Sequence, residues 1–262
     1  NAGAPDVAAG GFHSQFGWIA FNVVALGLLL GAHRLPWMRV KESDPVKAAD
    51  EGDNPAVGWL APFVAILAAA MVSRAASSGF EWLYPLRFLA GVLVIAHFRR
   101  RYRELDWGMD WMSVGAGFVV FAMWIALDRL HAGTGAGGLA TGLNALSPAS
   151  RLIWLFFRTL AAVTTVPFAE ELAFRGFVMR RLVSSDFETV DFRRVPLYAV
   201  LVSSLLFGIM HGDRWIAGTV AGFVYALAVR RRGSLGSAIA AHATTNALLA
   251  VWVVTQGEWG FW

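Results

Sequence analysis

Apolar residues in this chain fall into long runs separated by short polar connections. Eight runs stand out, at about 16–33, 56–73, 82–98, 111–127, 151–182, 196–211, 215–230 and 236–255. At about 1.5 Å per helical residue, each can cross a hydrocarbon core about 30 Å thick, the shorter ones snugly. The fifth is longer than one crossing needs, and Pro167 is the natural place for a kink. The pattern predicts an all-α, polytopic transmembrane helical bundle of about eight spans. Four spans fall in an N-terminal part, 1–150, and four in a C-terminal core, 151–262. No internal repeat and no soluble domain is evident, and the mixed-charge stretch 34–55 reads as a surface connection.

Composition sharpens that picture. Of 262 residues, 57% are hydrophobic and 15% charged, against about 25% charged in soluble domains. Mean hydropathy is +0.54. Trp37, Trp59, Trp82, Trp107, Trp111, Trp215 and Trp252 lie near run ends, as belt tryptophans do. The absence of cysteine excludes disulfides and thiolate metal sites. The net charge of +4 does not imply nucleic acid, because the basic residues sit in short loops, where they orient spans. The first fifteen residues hold no Lys or Arg, so no cleavable signal peptide is expected.

Charge also sets the expected orientation. Alternate loops hold Arg34, Arg39, Lys41 and Lys47, then Arg99, Arg100, Arg101 and Arg103, then Arg180, Arg181, Arg193 and Arg194, then Arg230, Arg231 and Arg232. The opposite set holds only Arg74, Arg129, Arg151 and Arg214. Both termini are therefore expected outside the cytoplasm, with the chain in a bacterial inner (plasma) membrane.

Candidate chemistry lies in the polar residues left inside spans. A charge at the bilayer centre costs about 2.5–3.5 kcal/mol on insertion scales, so each needs a partner or a wet cavity. Glu171 and Arg175 are four apart and can pair on one helical face. Glu170 points about 100° away, with no basic residue three or four positions off. It needs a partner from another helix or stays protonated. One candidate is His211, four residues after Phe207. Another polar couple is His242 and Asn246, again four apart. Counting from cytoplasmic arginines puts Glu170, His211, His242 and Asn246 about 15, 25, 15 and 21 Å deep. One slab of membrane thus holds a carboxylate, two imidazoles and an amide. A carboxylate and an imidazole can polarise water. The second imidazole and the amide can donate hydrogen bonds to an oxyanion.

These residues resemble a known family. Glu170-Glu171-xxx-Arg175, Phe207-xxx-His211 and His242-xxx-Asn246 match, in order, the EExxxR, FxxxH and HxxxN elements of the CPBP intramembrane proteases, which include the type II CAAX prenyl endopeptidases. The resemblance covers about 150–256. It implies a glutamic-type, metal-independent endopeptidase with no cofactor. It implies Glu170 as the base working with His211, His242 and Asn246 holding the water or the oxyanion, and Glu171 and Arg175 as support. VPFAEELAFRGF, HGDRWIAG and GEWGFW look like members associated with exosortase-type sorting, whose clients carry a C-terminal membrane signal. The implied partners are a membrane-anchored protein or peptide and the lipid bilayer. The competing readings are a non-proteolytic scaffold or immunity partner of the same fold, and a proton-coupled transporter.

Other signals read as ordinary. Gly133, Gly135 and Gly138 form a G-x-G-x-x-G stretch between two spans, where no dinucleotide site is expected. His211, His242 and a glutamate could form a zinc set, but there is no HExxH and further ligands are missing. His13, His33, His97 and His131 read as interfacial. Arg158 reads as snorkelling outward, with a substrate carboxylate or the polar core as its alternative partner.

Overall fold

The structure is a computed structural model that describes residues 54–77, 80–130 and 137–262. The predicted span 16–33, the connection to residue 53, His131, Gly133 and Gly135 lie outside the described residues. Among the described residues, nine helices carry the fold: α1 Pro55–Ala75, α2 Pro85–His97, α3 Trp111–Leu130, α4 Gly137–Ala145, α5 Pro148–Val163, α6 Thr165–Glu171, α7 Leu197–Ile209, α8 Trp215–Arg232 and α9 Leu235–Gln256. A π-helical turn, Leu172–Val178, and a short α-turn, Met179–Arg181, continue α6. Among the described residues there is no strand. The all-α expectation holds, and each of the seven apolar runs that fall among the described residues is helical.

Local sequence explains where the helices start and stop. Asn54 and Ser147 cap α1 and α5 with their side chains, each followed by proline in the first turn. Gly233 ends α8 in the left-handed region at φ 80°, where a side chain would be strained. Ser234 then caps α9.

Among the described residues, four helical segments are long and apolar enough to cross a membrane: Pro55–Ala75, Trp111–Arg129, Pro148–Arg181 and Leu235–Gln256. Helices α2 and α7 are apolar but shorter. At 13 residues, or about 20 Å, they stop short of a full hydrocarbon core.

Helix α7 is built inside out relative to a soluble helix. It buries Ala199, Val200, Ser203, Ser204, Phe207 and Gly208. It exposes Leu197, Leu201, Leu205, Leu206 and Ile209. In lipid, large apolar side chains lose nothing by facing outward, and small residues let backbones approach. A Cβ on Gly208 would lie 2.0 Å from Thr219 Oγ1 of α8, so the α7–α8 hairpin closes only around glycine. Helices from both sides of residue 150 pack together, notably α3 against α8 and α9. These apolar helices mark an integral membrane protein.

The basic loops contact one another. Arg101 bonds Glu188 at 2.7 Å, Arg231 pairs with Asp110, and Arg193 bonds the Arg232 carbonyl. In the opposite set, Arg214 pairs with Asp128 at 2.6 Å. Trp59 is not a belt residue. It is 2% exposed, and its Nε1–H donates to Glu188.

Candidate active site

The expected kink in the fifth span is present. Helix α5 ends at Val163 and α6 begins at Thr165. Pro167 has no N–H to offer the Val163 carbonyl, and its ring crowds that oxygen. Side chains serve neighbouring carbonyls: Thr165 Oγ1 donates to Ala161 at 3.4 Å, and Asn246 Nδ2 from α9 donates to Ala162 at 2.8 Å. The break therefore lies beside α9, nearly two turns before the glutamates.

Glu171 and Arg175 form the predicted pair, with Arg175 Nη1 3.1 Å from Glu171 Oε1 and both side chains 0% exposed. Arg175 Nη2 donates to the Gly222 carbonyl at 2.8 Å. Its guanidinium lies over the Phe207 ring, 4.3 Å from the centroid. Gly222 makes this possible, because a Cβ there would sit 3.0 Å from Arg175 Nη2. Glu171 Oε1 also meets His242 Nδ1 at 2.9 Å, a contact the residue spacing gave no hint of. An Nδ1–H donated to a carboxylate fixes the imidazole's orientation and leaves Nε2 on the opposite side. Tyr225 stacks on that imidazole at 4.8 Å, and Phe207 meets it edge-on at 5.7 Å.

Glu170 lies on the other side of the helix. Its Oε2 is buried without a hydrogen-bond partner and stands 3.9 Å from His242 Nε2. The nearest imidazole is thus on α9, and not His211 as the residue pattern suggested. Glu170, His211, His242 and Asn246 all line one cavity of about 200 Å³. His211 sits past the end of α7, at the start of the Gly212–Arg214 turn. It still contacts Phe207, with ring centroids 4.7 Å apart. Its Nδ1 lies 2.8 Å from the Phe207 carbonyl. A carbonyl only accepts, so Nδ1 carries the proton and Nε2 of the neutral ring is the basic nitrogen. Asn246 uses one amide proton on Ala162 and has a second.

Tyr225, Trp124 and Thr245 line the same cavity but carry no spacing signal in the sequence. Arg158 corrects the snorkelling expectation. It lines the cavity, and its guanidinium lies 4.5 Å from the Tyr84 ring centroid, 5.1 Å from Trp262 and 5.7 Å from Trp154. Among the described residues no group of three or more His, Asp or Glu side chains is placed to hold a metal ion.

Outside the spans, Tyr102 Oη donates to the Gly58 carbonyl, and burial raises its pKa well above that of a free tyrosine. Burial opposes ionisation of Glu188, but hydrogen bonds from Arg101 and Trp59 prevail and hold its carboxyl below the ordinary glutamate range.

Comparison with known proteins finds a family match over the segment that carries these residues. Residues 152–248 match the model of the type II CAAX prenyl endopeptidase Rce1-like family, and all three motif elements fall inside that range. The chain is also 32% identical over 165 residues to the uncharacterized protein YyaK of Bacillus subtilis (strain 168), covering 57% of this chain and 50% of that one. The chain thus spans about half the length of the curated relative it matches. No solved structure matches it significantly. Residues 152–248, which carry every candidate site residue, are thus similar to the type II CAAX prenyl endopeptidase Rce1-like family, and this supports the CPBP resemblance of the motifs.

Proposed function

We propose that the chain is a glutamic-type intramembrane endopeptidase that hydrolyses a peptide bond of a membrane-anchored client. One observation carries the reading. Glu170 lines the cavity, and its Oε2, buried without a hydrogen-bond partner, stands 3.9 Å from His242 Nε2. That separation exceeds a direct hydrogen bond, and a single water can bridge it.

Water held there loses a proton to Glu170 as its oxygen attacks the substrate carbonyl carbon. The carbonyl oxygen becomes an oxyanion, which the second amide N–H of Asn246 stabilises, joined by an Nε2–H of His242 when that ring is protonated. When the C–N bond breaks, Glu170 returns the proton to the leaving amine. His211 Nε2, at the other side of the cavity, orients water or relays the proton. Glu171 and Arg175 are positioning residues that hold His242. Clients with a C-terminal membrane signal, cut near the outer surface, fit the charge bias of the loops. A cysteine introduced by Gly212→Cys should then react with an impermeant thiol reagent in intact cells; labelling only after lysis reverses the orientation.

The test is co-expression with candidate membrane-anchored clients and comparison of wild type with Glu170→Ala and His211→Ala. Cleavage should vanish while the variants remain folded. A scaffold would keep its biological function without Glu170, and that result would retire the peptidase reading.

A further inference from the structure

The cavity has a second charged wall that the hydrolytic residues leave unused. Arg158 lies twelve residues before Glu170 and faces the same space. Its guanidinium is held by Tyr84, Trp154 and Trp262. Among the described residues it makes no ion pair and no hydrogen bond, and its Nε is buried without a partner. The carboxylates nearby are Glu81, which is shared with other arginines, and Glu170, which lines the same cavity without an ion pair to Arg158. Arg74 and Arg87 both pair with Glu81, and Arg87 shares the Tyr84 ring with Arg158. Three guanidiniums thus stand around one carboxylate.

Ring faces attract a guanidinium but leave its in-plane N–H groups unsatisfied. Five donors in a planar fork match a carboxylate in two-point contact. An uncompensated cation at membrane depth is costly, and an anionic occupant of the cavity would relieve that cost.

We infer that Arg158 is a substrate-binding residue that recognises a carboxylate on the peptide occupying the cavity, either a chain end or an acidic side chain. The inference rests on the peptidase reading for the nature of the occupant. It also sets a ruler. Twelve residues of helix span at most about 18 Å, and the break at Thr164 shortens that. An extended peptide covers this in about five residues. The anionic group therefore lies within about five residues of the bond that Glu170 attacks.

The test uses the full chain in nanodiscs, carrying Glu170→Gln to stop turnover. Binding is read by tryptophan fluorescence, since Trp154 and Trp262 flank the site. The probes are an N-acetylated apolar pentapeptide with a free carboxylate, the same peptide as its C-terminal amide, that amide with glutamate as its last residue, and dodecyl phosphate. Both carboxylate probes should bind about tenfold tighter than the plain amide, as expected for a charge-assisted hydrogen bond. Arg158→Gln should abolish the preference without weakening the amide, and Arg158→Lys should retain part of it. Equal binding of acid and amide overturns the inference, and so does a preference that survives Arg158→Gln. Tight binding of dodecyl phosphate with no acid preference overturns it too, by assigning the site to a lipid headgroup. If the preference holds but the wild-type protein cleaves no membrane-anchored reporter, the carboxylate site stands and the peptidase reading falls.

Discussion

Two sides of one helix present adjacent glutamates to different worlds. On the packed side, Glu171 meets Arg175 and His242, and Arg175 goes on to the Gly222 carbonyl and the Phe207 ring. On the cavity side, Glu170 is 19% exposed and has an oxygen with no hydrogen-bond donor. The same side-chain chemistry serves as a strut in one place and as a reactive group in the other. Environment makes that division: Glu171, whose Oε2 also lacks a hydrogen-bond partner, is sealed at 0% exposure with its Oε1 shared by Arg175 and His242, whereas Glu170 lines the cavity.

The sharpest way to break this contrast is to neutralise each glutamate in turn. Glu170→Gln should lower client cleavage by about 10²–10⁴-fold, the usual worth of a general base, and leave thermal stability within about 1 kcal/mol. Next in size is Arg175→Met, which strands Glu171 as a buried charge and should cost about 3–5 kcal/mol. Adding Glu171→Gln should recover much of that loss, and denaturation in mild detergent would show whether the two changes are coupled. Equal effects of the two glutamate substitutions on activity and stability would erase the distinction.

Smaller perturbations sharpen the packed side. Gly222→Val places a side chain against Arg175 Nη2, Phe207 and Ser204. Overpacking of this kind typically costs about 1–3 kcal/mol, and the variant should lose activity by displacing Arg175. Tyr102→Phe removes one hydrogen bond, to Gly58, and should cost about 1 kcal/mol by thermal melting.

The smallest effect concerns pH. Glu188 has a depressed folded-state pKa, so its stabilising contribution is complete above the unfolded glutamate value of about 4.3 and is lost as pH falls through the folded value. Amide exchange around Phe187–Thr189 should quicken below pH about 4 in wild type and lose that pH response in Glu188→Gln.

Much of this was legible in the chain. Lipid tolerates few charges, so Glu170, Glu171, Arg175 and Arg158 stood out against apolar runs. Pro167 marked the break because backbone chemistry leaves it no alternative. Other features left no trace. Seven residues of π-turn follow Glu171 in a stretch with ordinary helical composition. Tyr225 is neutral and aromatic in a span where aromatics are common. His211 looked like a helical neighbour of Phe207, yet the helix stops at Ile209 and a turn keeps the two rings together. Arg158 was misread because only Trp154 of its three rings is a helical neighbour. Tyr84 and Trp262 reach it from distant parts of the chain.

The interruption at Thr164 has a mechanical meaning. The longest rod in the bundle, Pro148 to Arg181, is scored across its width at Pro167, and the Asn246 amide is pinned to the score line through Ala162. Any force applied to either end of that rod will concentrate its bending there. Replacing Asn246 therefore unlatches a crease as well as removing a donor, so the phenotype of such a variant blends stiffness with chemistry.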